Sequence, residues 1–188
     1  ALQDATAYIR SGIYKKVIVV AAEMMSSMTN YDDRSTCPLF GDGAAAVLVE
    51  PTEEAGIGVI DGVFHVDGEG LPHLQMKAGG SAYPASHATV DAHEHFVYQE
   101  GRAVYKAAVT DMLTSSLDVM ERNHLTVDDI NWFIPHQANL RIIEAVGGRI
   151  GIDPEKVLVN IQYRGNTSAA SIPLCIAENK DKLKKGDK

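Results

Sequence analysis

The chain has 188 residues, of which 45% are hydrophobic, and a formal net charge of −8 at pH 7. This composition is typical of a soluble globular protein, and the negative charge argues against nucleic acid as the main partner. The longest apolar runs fall short of the roughly 20 residues that a membrane-spanning helix needs. The two cysteines cannot form a disulfide framework, so we expect a reducing, cytoplasmic location.

The first fifty residues show a helix and two strands. Apolar residues at helical spacing predict an opening helix that ends at Ser11-Gly12. The β-branched run at residues 15–25 predicts a central strand that is covered on both faces. Residues 41–51 predict a turn that leads into a second strand.

The middle of the chain is less regular. Residues 56–68 predict a further strand interrupted by glycines, and residues 69–95 predict a long irregular segment rich in Gly, Pro, Ser and His. The apolar stripe over residues 98–123 predicts a long helix that faces the core.

The last part of the chain repeats a strand-to-helix order. Residues 130–135 and 156–161 predict strands, and each precedes a predicted helix, at 139–147 and 167–183. Alternating strands and helices indicate a layered α/β protein with mostly parallel pairing.

Two strand-to-helix joints carry the polar residues that can do chemistry. His136 follows the first of these strands and Asn166 follows the second. Because neighbouring parallel strands end at the same edge of a sheet, the two side chains can face one another. On position alone, a histidine that only hydrogen-bonds to its own turn is an equally good interpretation.

Three segments together resemble one known family. "RSTCPLFGDGAAAVLVE" at 34–50, "PHQANLRI" at 135–142 and "GNTSAAS" at 165–171 resemble the beta-ketoacyl-acyl-carrier-protein synthase III family, the initiating condensing enzymes of bacterial fatty-acid synthesis in the thiolase superfamily. The likeness covers essentially the whole chain. Other condensing synthases carry a second histidine where this sequence has Asn166. The resemblance implies a thiolase-like layered α/β fold (α/β/α/β/α in an intact parent), incomplete in this chain.

The resemblance also implies a reaction and two catalytic residues. In the family, a cysteine takes an acyl group from acyl-CoA, and malonyl-acyl carrier protein loses carbon dioxide to give a carbanion that attacks the acyl-cysteine. Both thioesters are substrates, and no cofactor or metal is expected. The family's His and Asn fall on His136 and Asn166, whose N–H groups stabilise the developing charge; one such donor is typically worth about 3 kcal/mol.

Further roles follow from the resemblance alone. A pantetheine tunnel is expected along Gly101, Arg102, Ala138, Asn139 and Ile142. Relatives often carry Asn at the position of Arg102. The acidic acyl carrier protein is expected to dock on Arg141 and Lys106, although without the resemblance both are simply solvated charges.

Neither cysteine fits the role of the nucleophile. Cys37 precedes a proline and therefore does not open a helix, and Cys175 lies among apolar residues of a predicted helix. The chain starts without Met inside a helical pattern and ends on a turn signal. We therefore expect a piece that lacks the segment with the nucleophile and a closing C-terminal segment, and that is inactive by itself.

The resemblance further suggests two halves and an assembly. Residues 1–95 are expected to hold the rest of an N-terminal thiolase-like half with its connecting loop, and residues 96–188 most of the C-terminal half. A homodimer is expected.

Two alternative functions stay open: a related acyltransferase or hydroxymethylglutaryl-CoA-type synthase, and a non-catalytic binding or dimerisation module. The histidines at 87, 93 and 95 lack a metal-binding spacing.

Overall fold

The N-terminal part is built on a two-stranded sheet. In the computed structural model, which describes residues 1–188, α1 (Leu2–Arg10) ends as predicted, and Gly12 has a φ of +74°. This left-handed conformation favours glycine. The strands β1 (Val17–Glu23) and β2 (Gly43–Val49) pair antiparallel, with Val17 opposite Val49.

The surroundings of β1 differ from the prediction. Only one face of the strand is covered, by α1 and by the 3₁₀ turn at Ser168–Ala170. On the other face Ile18 and Val20 are 67% and 65% exposed. The prediction of a strand covered on both faces was therefore wrong for this chain, because a β-branched run predicts a strand but not which elements pack against it.

The glycine-interrupted segment forms no strand. Residues 50–67 contain no helix or strand, and Gly56 and Gly58 have φ values of +78° and +107°. Such backbone does not continue a β-ladder, so the strand predicted at 56–68 was wrong.

The segment that follows is more regular than predicted. A 3₁₀ turn (Gly68–His73) leads into β3 (Leu74–Met76), and α2 (His87–Asp91) begins at a capping box on Ser86. β3 pairs antiparallel with β4 (Val97–Gln99). This pairing crosses the boundary between the two halves that is expected at residues 95/96. The boundary itself stays a prediction.

The main core lies between two packed helices. The predicted long helix is α3 (Gly101–Arg122), and it packs on α4 (Leu140–Ile150) through Val109, Ile142 and Val146. Asn139 caps the start of α4, and Gly151 ends it with a φ of +86°. Both helix predictions were confirmed.

The two predicted strands at 130–135 and 156–161 do not form, and the two segments are joined only by a single parallel β-bridge. Phe133 N–H donates to the Lys156 carbonyl at 2.9 Å, and Leu158 N–H donates to the Phe133 carbonyl at 3.0 Å. A one-turn helix α5 (Ile161–Arg164) follows, then a 3₁₀ turn (Ser168–Ala170) and α6 (Ser171–Glu178).

The α/β class was therefore confirmed, whereas mostly parallel pairing was wrong, since both sheets are antiparallel. The parallel contacts are the isolated bridges Phe133 to Val157 and Phe40 to Asn166. None of the helices combines the length and the apolar character that crossing a bilayer requires.

Candidate active site

His136 sits between the backbone bridge at Phe133 and the start of α4, and its side chain is tied to α6. Its Nδ1 lies 2.7 Å from Oγ of Ser171, the first residue of α6. Burial lowers the pKa of the His136 imidazole below its ordinary value of 6.5. The imidazole is therefore neutral at neutral pH, with one N–H to donate.

Gln137 holds the His136 segment in place from inside the protein. It is 0% exposed, and its Nε2 donates to the carbonyls of Pro135 at 2.9 Å and Leu158 at 3.3 Å. Its Oε1 accepts from the Asn160 N–H at 3.0 Å. The amide thus joins the two segments that end at His136 and at Asn166.

Asn166 is fixed by its backbone and by its side-chain oxygen. Its N–H donates to the Leu39 carbonyl at 2.8 Å, and its carbonyl accepts from the Gly41 N–H at 3.0 Å. Its Oδ1 accepts from the Ser168 N–H at 2.9 Å, and Nδ2 has no hydrogen-bond partner. Both Nδ2 protons are therefore free for a ligand oxygen.

The turn before β2 is the backbone support of Asn166. A Cβ at Gly41 would collide with the carbonyl of Arg164. Asp42 accepts from the Ser26 N–H at 2.8 Å and from its hydroxyl at 2.6 Å, and these bonds lower the pKa of the Asp42 carboxyl. The "FGDG" segment therefore positions the Asn166 loop.

His136 and Asn166 converge on the same short turn but do not contact one another. His136 binds Ser171 and Asn166 binds Ser168, three residues earlier, where the backbone has an unusual φ of +50°. Strained φ values in non-glycine residues cluster at functional sites. His136 also lines a cavity of about 620 Å³ beside Met112 and Phe133, and Asn166 does not line it.

None of the five predicted tunnel residues lines this cavity. Gly101 and Arg102 are exposed at the start of α3, and Ala138 packs on the α3–α4 core. Asn139 is the cap of α4, with Oδ1 accepting from the Arg141 N–H at 2.9 Å. Ile142 is 5% exposed and belongs to the core in this chain. The tunnel stays a prediction.

The predicted docking residues are both on the surface. Arg141 is exposed in the first turn of α4, and Lys106 is exposed on α3, which packs against α4. Neither forms a salt bridge, so both charges are available to a partner.

Neither cysteine has the setting of a nucleophile. Cys175 is 0% exposed within α6, and burial raises the pKa of its thiol to about 11, which keeps it protonated. This confirms it as a core residue. Cys37 is half-buried in the loop before β2 and makes no side-chain hydrogen bond with His136 or Asn166.

Sequence reasoning missed three supporting residues. Ser171 was part of "GNTSAAS" but counted only as a small residue, and no local pattern marked Gln137 or Asn160. Their partners lie far away in sequence, so periodicity could not reveal them.

No group of three or more His, Cys, Asp or Glu side chains is placed to hold a metal ion.

Two family models match the chain. The model described as 3-oxoacyl-[acyl-carrier-protein] synthase III matches residues 1–68, and the one described as the C-terminal part of the same synthase matches residues 120–188. The matched ranges include the Asp42 turn, His136 and Asn166.

Curated relatives match along the whole chain. A beta-ketoacyl-[acyl-carrier-protein] synthase III of Porphyromonas gingivalis is 58% identical over 187 residues, which is 100% of this chain and 56% of that protein. A synthase III of Bacteroides thetaiotaomicron is 58% identical over 186 residues, covering 99% of this chain and 55% of that protein. The chain thus spans about half the length of these relatives.

A solved structure shows the same fold. Beta-ketoacyl-[acyl carrier protein] synthase III from Thermus thermophilus has a TM-score of 0.88 at 38% identity, covering 100% of this chain and 57% of that one. The fold class expected from the sequence, a thiolase-like α/β fold, is therefore confirmed.

Proposed function

Since the chain belongs to the 3-oxoacyl-[acyl-carrier-protein] synthase III family, we propose that it supplies the decarboxylation residues of such an enzyme. The enzyme would join an acyl-CoA primer to malonyl-acyl carrier protein and so start fatty-acid synthesis. The observation that carries the proposal is a pair of donors on two segments that are both hydrogen-bonded to the turn at residues 168–171: a neutral His136 and an Asn166 whose Nδ2 is unpartnered.

The two donors suit the loss of carbon dioxide from a malonyl thioester. The bond between the carboxylate carbon and the α-carbon breaks, and its electron pair moves toward the thioester oxygen, giving an enolate. N–H groups of His136 and Asn166 stabilise that oxygen, more strongly in the transition state than in the substrate. The α-carbon then attacks the acyl group of an acyl-cysteine, and the cysteine leaves as a thiolate.

The nucleophile belongs, in this proposal, to sequence outside the 188 residues. The protonated thiol of Cys175 cannot take an acyl group readily, and Cys37 lies in a loop rather than at a helix start. We therefore expect the 188-residue chain, incubated with acetyl-CoA and malonyl-acyl carrier protein, to give no acetoacetyl product. Product formation would require a nucleophile within the chain.

Partners follow from the same proposal. Acyl-CoA and malonyl-acyl carrier protein are the substrates, with no cofactor, and the enzyme is a cytoplasmic homodimer. Pantetheine passes along Gly101, Arg102, Ala138, Asn139 and Ile142, and the carrier protein docks on Arg141 and Lys106. A related acyltransferase or a hydroxymethylglutaryl-CoA-type synthase would need a different acid or base opposite His136, whereas this sequence has Asn166 at the second joint.

The two half-reactions test the assignment. In the full-length protein, His136→Ala and Asn166→Ala should abolish release of carbon dioxide from malonyl-acyl carrier protein, because each removes a donor worth about a hundredfold or more in rate. Transfer of radiolabelled acetyl from acetyl-CoA to the enzyme should continue. As a matched control, His87→Ala, at an exposed position of α2, should change neither reaction. Equal loss of both half-reactions in the two site variants would contradict the division of roles.

A further inference from the structure

The hydroxyl of Ser171 is buried and has two hydrogen-bond partners. The residue is 1% exposed, and Oγ lies 2.7 Å from His136 Nδ1 and 3.4 Å from the backbone nitrogen of Gln137. Buried polar groups in folded proteins are almost always hydrogen-bonded, and leaving one unsatisfied costs about 1–3 kcal/mol.

The chemistry of the two partners decides where the protons lie. The Gln137 N–H can only donate, so Ser171 Oγ accepts there. The serine O–H then needs an acceptor, and Nδ1 of His136 is the only one within hydrogen-bond distance. Nδ1 therefore carries the lone pair, and the proton of the neutral imidazole is on Nε2.

We propose that Ser171 is a positioning residue that holds His136 in the tautomer with its proton on Nε2. The Nε2 atom makes no hydrogen bond within the protein, so this N–H is free for a substrate oxygen. The lowered pKa of His136 is consistent with the role, since a neutral ring has two tautomers to choose between.

The catalytic meaning of the inference rests on the proposed function. A thioester oxygen that gains negative charge needs an N–H facing it, whereas the other tautomer would present the Nε2 lone pair and repel it. Ser171 acts only through His136, and its hydroxyl touches no reacting atom. The tautomer itself is a property of the ground state and can be measured without any reaction.

Nitrogen NMR of the full-length protein with ring-labelled histidine measures the tautomer directly. At neutral pH the His136 signals, identified by their loss in His136→Gln, should show a protonated Nε2 and an unprotonated Nδ1. Ser171→Ala should convert this single tautomer into a mixture. Ser171→Cys, a weaker donor with a similar but larger side chain, should lie between them. A wild-type ring with its proton on Nδ1 would overturn the inference, and so would an unchanged tautomer in both variants.

Activity provides the second test. Ser171→Ala should lower malonyl decarboxylation about tenfold or more, which corresponds to about 1.4 kcal/mol, while acetyl transfer is unchanged and Ser171→Cys recovers part of the loss. Ser27→Ala is the matched control, because Ser27 is exposed and its hydroxyl binds only the Met24 carbonyl. A decarboxylation rate unaffected in both Ser171 variants, despite a changed tautomer, would remove the catalytic role of Ser171.

The two proposals fail in different ways. If the wild-type protein releases no carbon dioxide, the proposed function fails, while the NMR result still decides the tautomer. If Ser171→Ala does not fold, the spectra of the wild-type protein and of Ser171→Cys still determine the tautomer of His136.

Discussion

Gln137 accepts a hydrogen bond from the backbone of Asn160 across the two segments that lead to the candidate site, with Oε1 3.0 Å from that nitrogen. Asn160 in turn donates from Nδ2 to Glu178 Oε2 in α6 at 2.9 Å. Two buried amides thus connect the His136 segment, the Asn166 segment and α6, and the placement of the site depends on them.

Replacing Gln137 should therefore destabilise the protein strongly. Gln137→Ala leaves the carbonyls of Pro135 and Leu158 and the Asn160 N–H with one partner fewer, and it opens a cavity. We expect a loss of about 2–4 kcal/mol in the free energy of unfolding, measured by urea denaturation. Gln162→Ala, on the exposed face of α5, should stay within about 0.5 kcal/mol. Equal effects of the two changes would show that Gln137 does not connect the segments.

Gly41→Ala should displace the Asn166 loop. The added methyl would meet the Arg164 carbonyl, so the backbone between Arg164 and Asn166 must shift. Because a shift of about 1 Å can cost about a hundredfold in rate, we expect decarboxylation to fall by that order. The assay is carbon dioxide release beside acetyl transfer in the full-length protein. Gly68→Ala, where nothing lies within 4 Å of an added Cβ, is the matched control. Unimpaired decarboxylation in Gly41→Ala would mean that the loop is not held by this contact.

Arg141→Glu should weaken docking of the acidic carrier protein. The net charge of −8 repels such a partner unless a local cationic surface overcomes it. We expect the Michaelis constant for malonyl-acyl carrier protein to rise about tenfold or more, with a larger defect at low salt. A malonyl group on a short pantetheine analogue should be used almost normally.

Arg149→Glu gives the comparison for the docking prediction. It makes the same charge change at the other end of the same helix, where Arg149 is also exposed. We expect it to leave the Michaelis constant nearly unchanged. A similar rise in both variants would indicate net charge alone, and a defect with both substrates would make Arg141 a structural or tunnel residue.

The pKa of His136 predicts a pH dependence of stability. Because burial lowers this pKa below 6.5, the unfolded protein binds more protons than the folded one between the lowered value and 6.5. The free energy of unfolding therefore rises with pH across this window and falls as the pH drops below 6.5. In His136→Gln, the contribution of this imidazole to the pH dependence of the free energy of unfolding should disappear. Urea titrations at pH values from about 5 to about 8 measure that dependence. A His136→Gln slope equal to wild type would contradict the buried neutral ring.

Local features of the fold and the site were predictable from the sequence. The end of α1 at Gly12 and the limits of α4 at Asn139 and Gly151 follow from capping chemistry that acts within a few residues. The joint between His136 and α4 was predictable from a similarly local pattern. The strand predicted to lead to Asn166 was not, because the one-turn helix α5 precedes that residue.

Contacts between distant segments determined the features of the fold and the site that the sequence could not predict. Whether β1 is covered on one face or two depends on elements elsewhere in the chain, and its local pattern is the same in both cases. The bond from His136 to Ser171 joins residues 35 positions apart, and the bond from Asn160 to Gln137 joins residues 23 apart. By itself the sequence determined which side chains can do chemistry, because that depends on residue type and local pattern. Only the tertiary structure determined how they are oriented and protonated, because a buried hydroxyl or amide takes its partners from whatever the fold places beside it.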